Sequence, residues 1–482
     1  MIWYPVSGCC ITFLKAVTCA QSVQIIVKTV YTKGEDGMKR LIPAGLILLI
    51  IAAWVCTVQA GHSGPKQMKQ HLQAAEKYEE KELYLNAIKE YMAAREFMKD
   101  DYEIKMKVIG LYEKLGEENT CIKLCRQVID GTPDRPEAYE KLLKYYSSQE
   151  SNRKLIPFIY TAKERFPENA VFQDKFHELE KIYRISEKGF DALFEFENGM
   201  AVAERFAEIT EDGKDITEEI VINESGFKAM DIGYSKIEFT DKQDEFLVRD
   251  ESGSWKIVNQ KGYSLANNKD VSFDTVGRIS QGYGAAVTGG TYHLVNSGMK
   301  VSNNTWDDIG AFHDGFTASK KGGKWALFSL DGLKEITDYT FDDVKENNFG
   351  YSYMNECFAV KKDGKYWFAD KKGNLLSEEG FEDVKAFESR QPTAAMAGGK
   401  WGFAVSDGRW YLEPQYEDAR PFCNGYAPVK KDGLWGYINK DNELIVEPQF
   451  QEAGNVTERG IAPVKGENGW DILRLDILYY KK

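Results

Sequence analysis

The chain is short of basic residues, of histidine and of paired cysteines. Its 482 residues carry 62 Lys and Arg against 75 Asp and Glu, a net charge of −13. Nucleic-acid binding needs a basic surface that displaces counterions from phosphates, so the composition argues against a nucleic-acid partner. The five histidines form no HxxxH or HExxH pattern, and the eight cysteines include no CxxC pair. We therefore predict neither a metal site, nor a cofactor, nor a disulfide framework.

Sequence motifs of catalysis are also missing. No Gly-x-Ser-x-Gly elbow, phosphate-binding loop or dinucleotide fingerprint stands between a predicted strand and a predicted helix. Acidic pairs such as Asp342-Asp343 and Glu382-Asp383 offer calcium-binding or paired-carboxylate chemistry, but they recur at one place in successive units. A structural role explains such recurrence better than catalysis, which would use one pair only. The sequence therefore predicts a protein without enzymatic activity.

Long hydrophobic runs are scarce, and one stands out. Residues 41–58 carry no charge and are about long enough to span a bilayer core. We interpret residues 1–37 as a non-native or disordered extension and 38–60 as a transmembrane signal-anchor; a cleaved signal peptide is the alternative. Two basic residues directly before the run place the amino-terminal side in the cytoplasm and the bulk of the chain outside. Residues 61–66 form a linker.

A helical repeat of 34 residues occupies residues 67–186. Tyr78, Tyr112 and Tyr146 recur at that spacing, each followed nine residues later by a small or apolar residue. A period of this size is typical of paired helices that stack into a solenoid. The segment resembles the tetratricopeptide repeats, although the early Trp and Gly of that motif are absent. The resemblance implies an all-α solenoid with a groove for a peptide or protein.

A different repeat occupies residues 187–482. In residues 425–450 three short strands follow one another, the first two joined by Asp432-Gly433, which tolerates the positive φ of a hairpin turn. One such unit has an exposed edge on each side and is not stable alone. An aromatic residue takes the same place in each unit and recurs every 33 to 41 residues. These structural repeat anchors are Trp255, Tyr292, Trp325, Tyr366, Trp401, Trp435 and Trp470.

The β-repeat resembles the WG repeat. A Trp-Gly pair stands at Trp401-Gly402 and at Trp435-Gly436, and a Glu-Pro-Gln-aromatic segment follows each pair. The resemblance covers about residues 194–480, with departures in the earlier units, where the glycine is absent. It implies an all-β, propeller-like domain without enzymatic activity. We expect about seven blades, because the last unit is incomplete and would close the ring with strands from the first.

The patterns together predict a multi-domain chain: an N-terminal transmembrane helix, a tetratricopeptide-like solenoid and a WG-repeat propeller. Both repeat types expose large surfaces, so we predict a non-enzymatic, membrane-tethered, extracytoplasmic scaffold for an unidentified protein or peptide partner, attached to the membrane through residues 41–58.

The alternative is a module that binds cell-envelope carbohydrate or peptidoglycan through aromatic side chains on a propeller face. The aromatic candidates outside the anchor positions are Tyr351, Tyr353, Trp367, Trp410 and Tyr411. An enzyme on a propeller scaffold would instead need acidic or histidine side chains from different blades to converge at the central channel. The sequence assigns no ligand-binding residue.

Overall fold

The computed structural model describes residues 64–149, 151–209, 215–230, 233–267 and 273–481. The extension 1–37, the membrane segment 38–60 and most of the linker lie outside these residues. Within the described part, no helix is both long and apolar enough to cross a bilayer, so the fold described here contains no transmembrane helix. The extracytoplasmic location stays a prediction.

Eight short helices lie in the described residues. They are α1 (64–80), α2 (Tyr84–Arg95), α3 (Tyr102–Lys114), α4 (Glu118–Gly131), α5 (Glu137–Ser148), α6 (Asn152–Arg165), α7 (Ala170–Glu180) and, after the last strand, α8 (Asp476–Tyr479).

The prediction of an extended tetratricopeptide-like solenoid was wrong. The chain divides into two compact units, Met1–Cys121 and Ile122–Lys482. The division falls inside α4, so α5, α6 and α7 belong to the unit that contains the β-sheets. The last of these helices ends on Glu180, which is buried and accepts a hydrogen bond from Tyr426 of a strand. A 34-residue period records the length of a helix pair, but it does not record what the pair packs against.

The rest of the second unit is a β-propeller of eight antiparallel sheets. Blade 1 contains β2 (Ala192–Leu193), β3 (Met200–Ile209) and β4 (Asp215–Asn223). Blade 2 contains β5 (Lys236–Phe239), β6 (Glu245–Arg249), β7 (Trp255–Asn259) and β8 (Ser264–Asn267). Blade 3 contains β9 (Thr275–Val276), β10 (Tyr283–Thr288), β11 (Thr291–Asn296) and β12 (Val301–Trp306). Blade 4 contains β13 (Asp308–Ile309), β14 (Phe316–Lys321), β15 (Lys324–Ser329) and β16 (Lys334–Glu335).

The second half of the ring repeats this arrangement. Blade 5 contains β17 (Asp343–Val344), β18 (Tyr353–Met354), β19 (Cys357–Lys362) and β20 (Lys365–Ala369). Blade 6 contains β21 (Asp383–Val384), β22 (Thr393–Ala397), β23 (Lys400–Ala404) and β24 (Trp410–Tyr416). Blade 7 contains β25 (Asp418–Ala419), β26 (Tyr426–Lys431), β27 (Leu434–Asn439) and β28 (Leu444–Phe450). Blade 8 contains β29 (Glu452–Ala453), β30 (Ile461–Gly466), β31 (Gly469–Leu475) and β1 (Tyr183–Phe190).

Ring closure explains why the expected number of seven blades was wrong. The incomplete last unit is completed by β1, which precedes blade 1 and pairs antiparallel with β31. The first β-repeat unit is therefore free to form a three-stranded blade of its own. Blades 8 and 1 also share one apolar cluster, in which Ile461 and Ile472 pack with Ala201 and Ile222. Closure through a strand from upstream thus adds one blade to the count.

Six of the seven anchors lie in the third strand of their blades in chain order. Tyr366 lies in β20, the fourth strand of blade 5, where β17 and β18 both pair with β19. Five of the anchors are buried with 3–7% of their surface exposed, namely Trp255, Trp325, Tyr366, Trp401 and Trp435. Tyr292 and Trp470 are half-buried. A Cβ added at Gly402, next to Trp401, would lie 2.5 Å from the backbone oxygen of Leu412 and 2.7 Å from the nitrogen of Pro414. The glycine of the Trp-Gly pair therefore lets β24 approach β23 where the Glu-Pro-Gln-aromatic segment shifts the strand register.

Basic side chains connect neighbouring blades in a repeated way. In blades 5, 6 and 7 the residue after the first strand lies over the aromatic anchor of its own blade and pairs with an acidic residue of the next blade. The pairs are Lys345 with Asp383 at 3.0 Å, Lys385 with Asp418 at 3.8 Å and Arg420 with Glu452 at 3.5 Å. The covered rings are Tyr366, Trp401 and Trp435, with the cation 4.5, 4.7 and 5.5 Å from the ring centre. The basic residue thus binds both blades.

The acidic pairs of the repeat have two separate structural contacts. The first carboxylate accepts hydrogen bonds from a hairpin turn of its own blade, as Glu382 does from the amides of Gly398 and Gly399 at 2.9 and 3.0 Å. The second carboxylate, Asp383 in the same pair, binds Lys345 of the preceding blade. These contacts account for the recurrence of the acidic pairs without invoking a ligand.

Loss of one closure contact is expected to destabilise the ring. The Oδ1 atom of Asp471 in β31 accepts hydrogen bonds from the backbone amides of Lys188 and Gly189 in β1, at 2.7 and 3.0 Å. We expect Asp471→Ala to lower the free energy of unfolding by about 1–3 kcal/mol, because two amides lose a charged acceptor. Urea denaturation measures this change. Asp331→Ala, at an exposed turn, is the control and should stay within about 0.5 kcal/mol of the wild type; equal effects of the two substitutions would contradict the account.

Candidate binding site in the central channel

The segments that leave the short first strand of several blades converge on common cavities. One cavity of about 520 Å³ is lined by such segments from blades 1, 5, 6, 7 and 8. A second of about 330 Å³ shares Glu388 with the first, and a third of about 400 Å³ shares Glu195 with it. Segments from five blades of a ring meet only near its axis, so these cavities belong to the central channel. We call these segments the channel connections.

The channel connections are held to one another by hydrogen bonds that run from blade to blade. Four bonds of this kind, each written from donor to acceptor, are Asn347 Nδ2 to Phe387 O at 3.2 Å, Phe422 N to Pro392 O at 2.9 Å, Gly425 N to Gln391 Oε1 at 2.9 Å and Asn424 Nδ2 to Val456 O at 2.8 Å. Each bond fixes the backbone of one connection against its neighbour. These bonds therefore fix the positions of the segments whose side chains face the channel.

Two carboxylates from blades 1 and 6 meet across this framework. Glu195 Oε1 accepts a hydrogen bond from Asn348 Nδ2 at 3.1 Å, and Glu195 Oε2 accepts one from the amide of Asn455 at 2.9 Å. Glu388 Oε1 accepts from the amide of the same Asn348 at 2.9 Å. The other oxygen of Glu388, Oε2, is enclosed and has no hydrogen-bond partner among the described residues. Glu195 Oε1 also forms an ion pair with Arg420, whose Nη1 atom lies 3.5 Å away.

The channel carboxylates are short of positive charge. Burial raises the pKa of Glu195 to about 7, although the Arg420 guanidinium and the amide of Asn455 oppose the rise. Burial also raises the pKa of Glu388 to about 8, and the charge of Glu195 adds to the rise. Arg420 cannot neutralise both groups, because it also pairs with Glu452 at 3.5 Å. The channel therefore holds carboxyl groups that are protonated near neutral pH.

A third channel carboxyl behaves in the same way. Glu346 is exposed to the channel, but desolvation by the surrounding protein raises its pKa to about 7, and Asp308 and Asp343 add to the rise. A glycine makes room for it: a Cβ at Gly310 would lie 2.2 Å from Glu346 Oε1. Likewise, a Cβ at Gly454 would lie 2.8 Å from Glu195 Oε1. Substitution of either glycine by a larger residue would displace a channel carboxylate.

The five aromatic candidates for carbohydrate binding are not presented together. Tyr351 and Tyr353 are buried, and Tyr351 Oη accepts a hydrogen bond from Arg278 Nε at 2.9 Å. Trp367 and Trp410 pack against apolar clusters within the ring. Tyr411 is 39% exposed, and its hydroxyl donates to the backbone oxygen of Lys440 at 2.9 Å. These contacts give the carbohydrate alternative no support.

Sequence reasoning missed the channel carboxylates, although a signal for them exists. Four residues after the first strand, most units carry a polar residue that differs from blade to blade, such as Glu388 in blade 6. Two residues after it, some units also carry one, such as Glu195 in blade 1. The residue between these two places is usually apolar, as are Phe196 and Phe387, which are buried. Variation at a fixed place in a repeat is what a functional surface requires. A position-by-position comparison of the repeat units assigns the recurring acidic pairs a structural role. The same comparison would have identified these variable polar residues as candidates for function.

The geometry defines the described part of the chain as an eight-bladed β-propeller whose central channel holds carboxyl groups of raised pKa. Three segments, 305–325, 401–435 and 435–470, match the family model described as WG containing repeat. These matches and the β-propeller fold support the resemblance to the WG repeat that the sequence indicated. No curated protein matches its sequence.

Several solved structures share a fold likeness with the chain. BamB from Moraxella catarrhalis is 10% identical, with a TM-score of 0.37 over 60% of this chain and 93% of BamB. Hsv2p from Kluyveromyces lactis is 14% identical, with a TM-score of 0.31 over 42% and 74% of the two chains. Sqt1 from Chaetomium thermophilum, solved bound to the N-terminus of the ribosomal protein L10, is 10% identical, with a TM-score of 0.37 over 59% and 99%. At these scores we draw no functional conclusion from the neighbours.

The raised pKa values predict how stability depends on pH. Between about pH 4.5, the ordinary glutamate pKa, and about pH 8, the folded protein binds protons at Glu195 and Glu388 that the unfolded chain does not. Stability contributed by these groups therefore falls as the pH rises through this range. We expect the double variant Glu195→Gln/Glu388→Gln to lose part of this decline and to exceed the wild type at pH 8.5 by on the order of 1 kcal/mol or more.

Urea denaturation at several pH values measures this dependence. The matched control is Glu413→Gln/Glu447→Gln, which makes the same two substitutions at exposed positions on β24 and β28. It should keep the wild-type slope. Parallel pH profiles for the wild type and the channel variant would show that the channel carboxyl groups are ionised as in the unfolded chain.

Proposed function

We propose that this protein is a non-enzymatic binding scaffold whose central channel takes a positively charged segment of a partner protein. The observation that carries the proposal is the pair of Glu195 and Glu388. Arg420 forms an ion pair with Glu195 but not with Glu388, and Glu388 Oε2 has no hydrogen-bond partner among the described residues. A Lys ammonium or an Arg guanidinium in the channel would supply both the missing charge and the missing donors.

The extent of the channel favours a chain segment over a small cation. Three adjoining cavities share lining residues, and their walls carry polar groups of blades 1, 2, 3, 5, 6, 7 and 8. A single ion would contact a small part of this surface, whereas several residues of a peptide would contact most of it. The net charge of −13 would also speed the encounter with a basic partner.

The chemistry of the channel favours binding over catalysis. Glycoside hydrolases pair one protonated carboxyl with one ionised carboxylate, but here the pKa values of Glu195 and Glu388 are both raised to about neutrality or above. Cys423 lines the same cavity, and burial raises the pKa of its thiol well above the ordinary value. A thiol in this state is a poor nucleophile. These features support a site that recognises charge.

Binding of defined peptides to the full-length protein tests the proposal. The probes are two fluorescent heptapeptides of the same length, one alternating glycine with lysine and arginine, the other alternating glycine with glutamate and aspartate. We expect saturable anisotropy changes with the basic peptide only. The Glu195→Gln/Glu388→Gln variant should bind it at least about tenfold more weakly, because neither amide can release a proton and offer a negative charge to the bound cation.

The variant Glu413→Gln/Glu447→Gln separates a channel site from general charge attraction. It replaces the same number of carboxyl groups as the channel variant, at exposed positions, and it should bind the basic peptide as the wild type does. Equal weakening in both variants would attribute binding to net charge alone. Absence of saturable binding, or equal affinity for the acidic peptide, would contradict the proposed function.

A further inference from the structure

We propose that α7 and blade 7 together form a zinc-binding site with the ligands His177, Glu180 and Glu443. His177 and Glu180 lie three residues apart on α7, and Glu443 directly precedes β28. His177 Nδ1 is 3.3 Å from Glu180 Oε2 and 3.3 Å from Glu443 Oε2. All three donor atoms lie within 4.8 Å of one another. The site is independent of the channel carboxylates.

Hydrogen bonding does not account for this arrangement. A charged N–H···O⁻ bond spans about 2.7–2.9 Å, which is shorter than either distance from His177 Nδ1. The Nδ1 atom itself is enclosed, and it makes no hydrogen bond to any described residue. An enclosed imidazole nitrogen that faces two carboxylate oxygens without a hydrogen bond needs another partner.

A tetrahedral zinc ion fits the observed spacing. Zinc lies about 2.0–2.2 Å from imidazole nitrogen and carboxylate oxygen, which places neighbouring ligand atoms about 3.3–3.6 Å apart at tetrahedral angles. The two distances of 3.3 Å from His177 Nδ1 agree with such edges. The mixed nitrogen and oxygen donor set favours zinc over calcium or magnesium, which prefer oxygen ligands alone.

The carboxylates are oriented by neighbouring groups, as metal ligands commonly are. Glu180 is 7% exposed, and its Oε1 accepts a hydrogen bond from Tyr426 Oη at 2.9 Å. Asn439 Nδ2 lies 3.4 Å from Glu180 Oε2 and 3.2 Å from Glu443 Oε2. The Oδ1 of Asn439 accepts from the amide of Glu443 at 3.0 Å, which fixes the orientation of the amide group.

Space for a fourth ligand is available on the Glu180 side of the proposed site. Glu180, Tyr426 and Asn439 line a cavity of about 560 Å³. A cavity of this size admits water, so a zinc ion with three protein ligands would complete its coordination with solvent. The bound ion would join α7 to blade 7, two elements that belong to different repeats of the sequence.

Zinc binding by the full-length protein tests the proposal. After removal of metal with a chelator, titration with Zn²⁺ is followed by calorimetry, and Co²⁺ is used in parallel as a spectroscopic probe of tetrahedral geometry. We expect one Zn²⁺ per chain, no comparable binding of Ca²⁺ or Mg²⁺, and a rise in melting temperature with Zn²⁺. Glu443→Gln should weaken zinc binding at least about tenfold, since loss of a ligand exceeds loss of an outer hydrogen bond.

The control is Glu447→Gln, at an exposed residue of β28, the strand that Glu443 directly precedes, and outside the donor set. It should bind zinc as the wild type does. The side chain of Glu443 is 46% exposed, so Glu443→Gln is expected to fold, and its urea midpoint without metal verifies this. The proposal is overturned if the wild type binds no stoichiometric zinc, or if Glu443→Gln binds it with wild-type affinity. The latter outcome would leave the three side chains as an ion-pair cluster.

Discussion

The whole β domain depends on the closure of its ring. A three- or four-stranded blade buries too little surface to be stable alone, and it leaves sheet faces and edges uncovered. Each blade therefore needs two neighbours, which a linear array cannot give to its ends. Pairing of β1 with β31 supplies the missing neighbours by building blade 8 from both ends of the domain. Between blades, the basic residues that cover the anchors and bind the next blade add a contact repeated along the ring.

Closure also creates the chemistry of the channel. The ring brings segments far apart in sequence to one axis, so Glu195 of blade 1 and Glu388 of blade 6 share Asn348 of blade 5. In water each carboxyl would ionise with an ordinary pKa. The enclosed position makes the charged form costly, and Arg420 offsets this cost only in part. Binding of a cation would lower both pKa values, which couples occupation of the channel to proton release.

The sequence predicted local structure well wherever a repeat recorded it. The anchors, the Asp432-Gly433 turn and the Trp-Gly pairs all follow from local periodicity, and the close approach at Gly402 gives the Trp-Gly motif its physical reason. The predictions of a solenoid and of seven blades were wrong, because both features depend on which other elements of the chain each element packs against. The period of α5 to α7 does not reveal that Glu180 is buried against Tyr426, and no motif marks β1 as the closing strand.

The proposed sites could not be predicted from the sequence, for a related reason. Glu195 and Glu388 lie in different blades, and His177 and Glu443 lie in different kinds of repeat. Their proximity arises only from the packing of whole elements, which no spacing rule encodes. Alignment of the units would still have shown the variable polar places beside the channel. It would not have shown which of them meet.

The most direct test of this account is the protonation state of the channel carboxyl groups at neutral pH. Infrared difference spectra of the full-length protein with isotope-labelled glutamate, recorded against Glu195→Gln/Glu388→Gln, measure it. The account predicts a protonated-carboxyl band at pH 7 that is lost in the variant and diminishes as the basic peptide binds. A wild-type spectrum with only ionised carboxylates at pH 7 would contradict it, because the channel would then already hold its counter-charge.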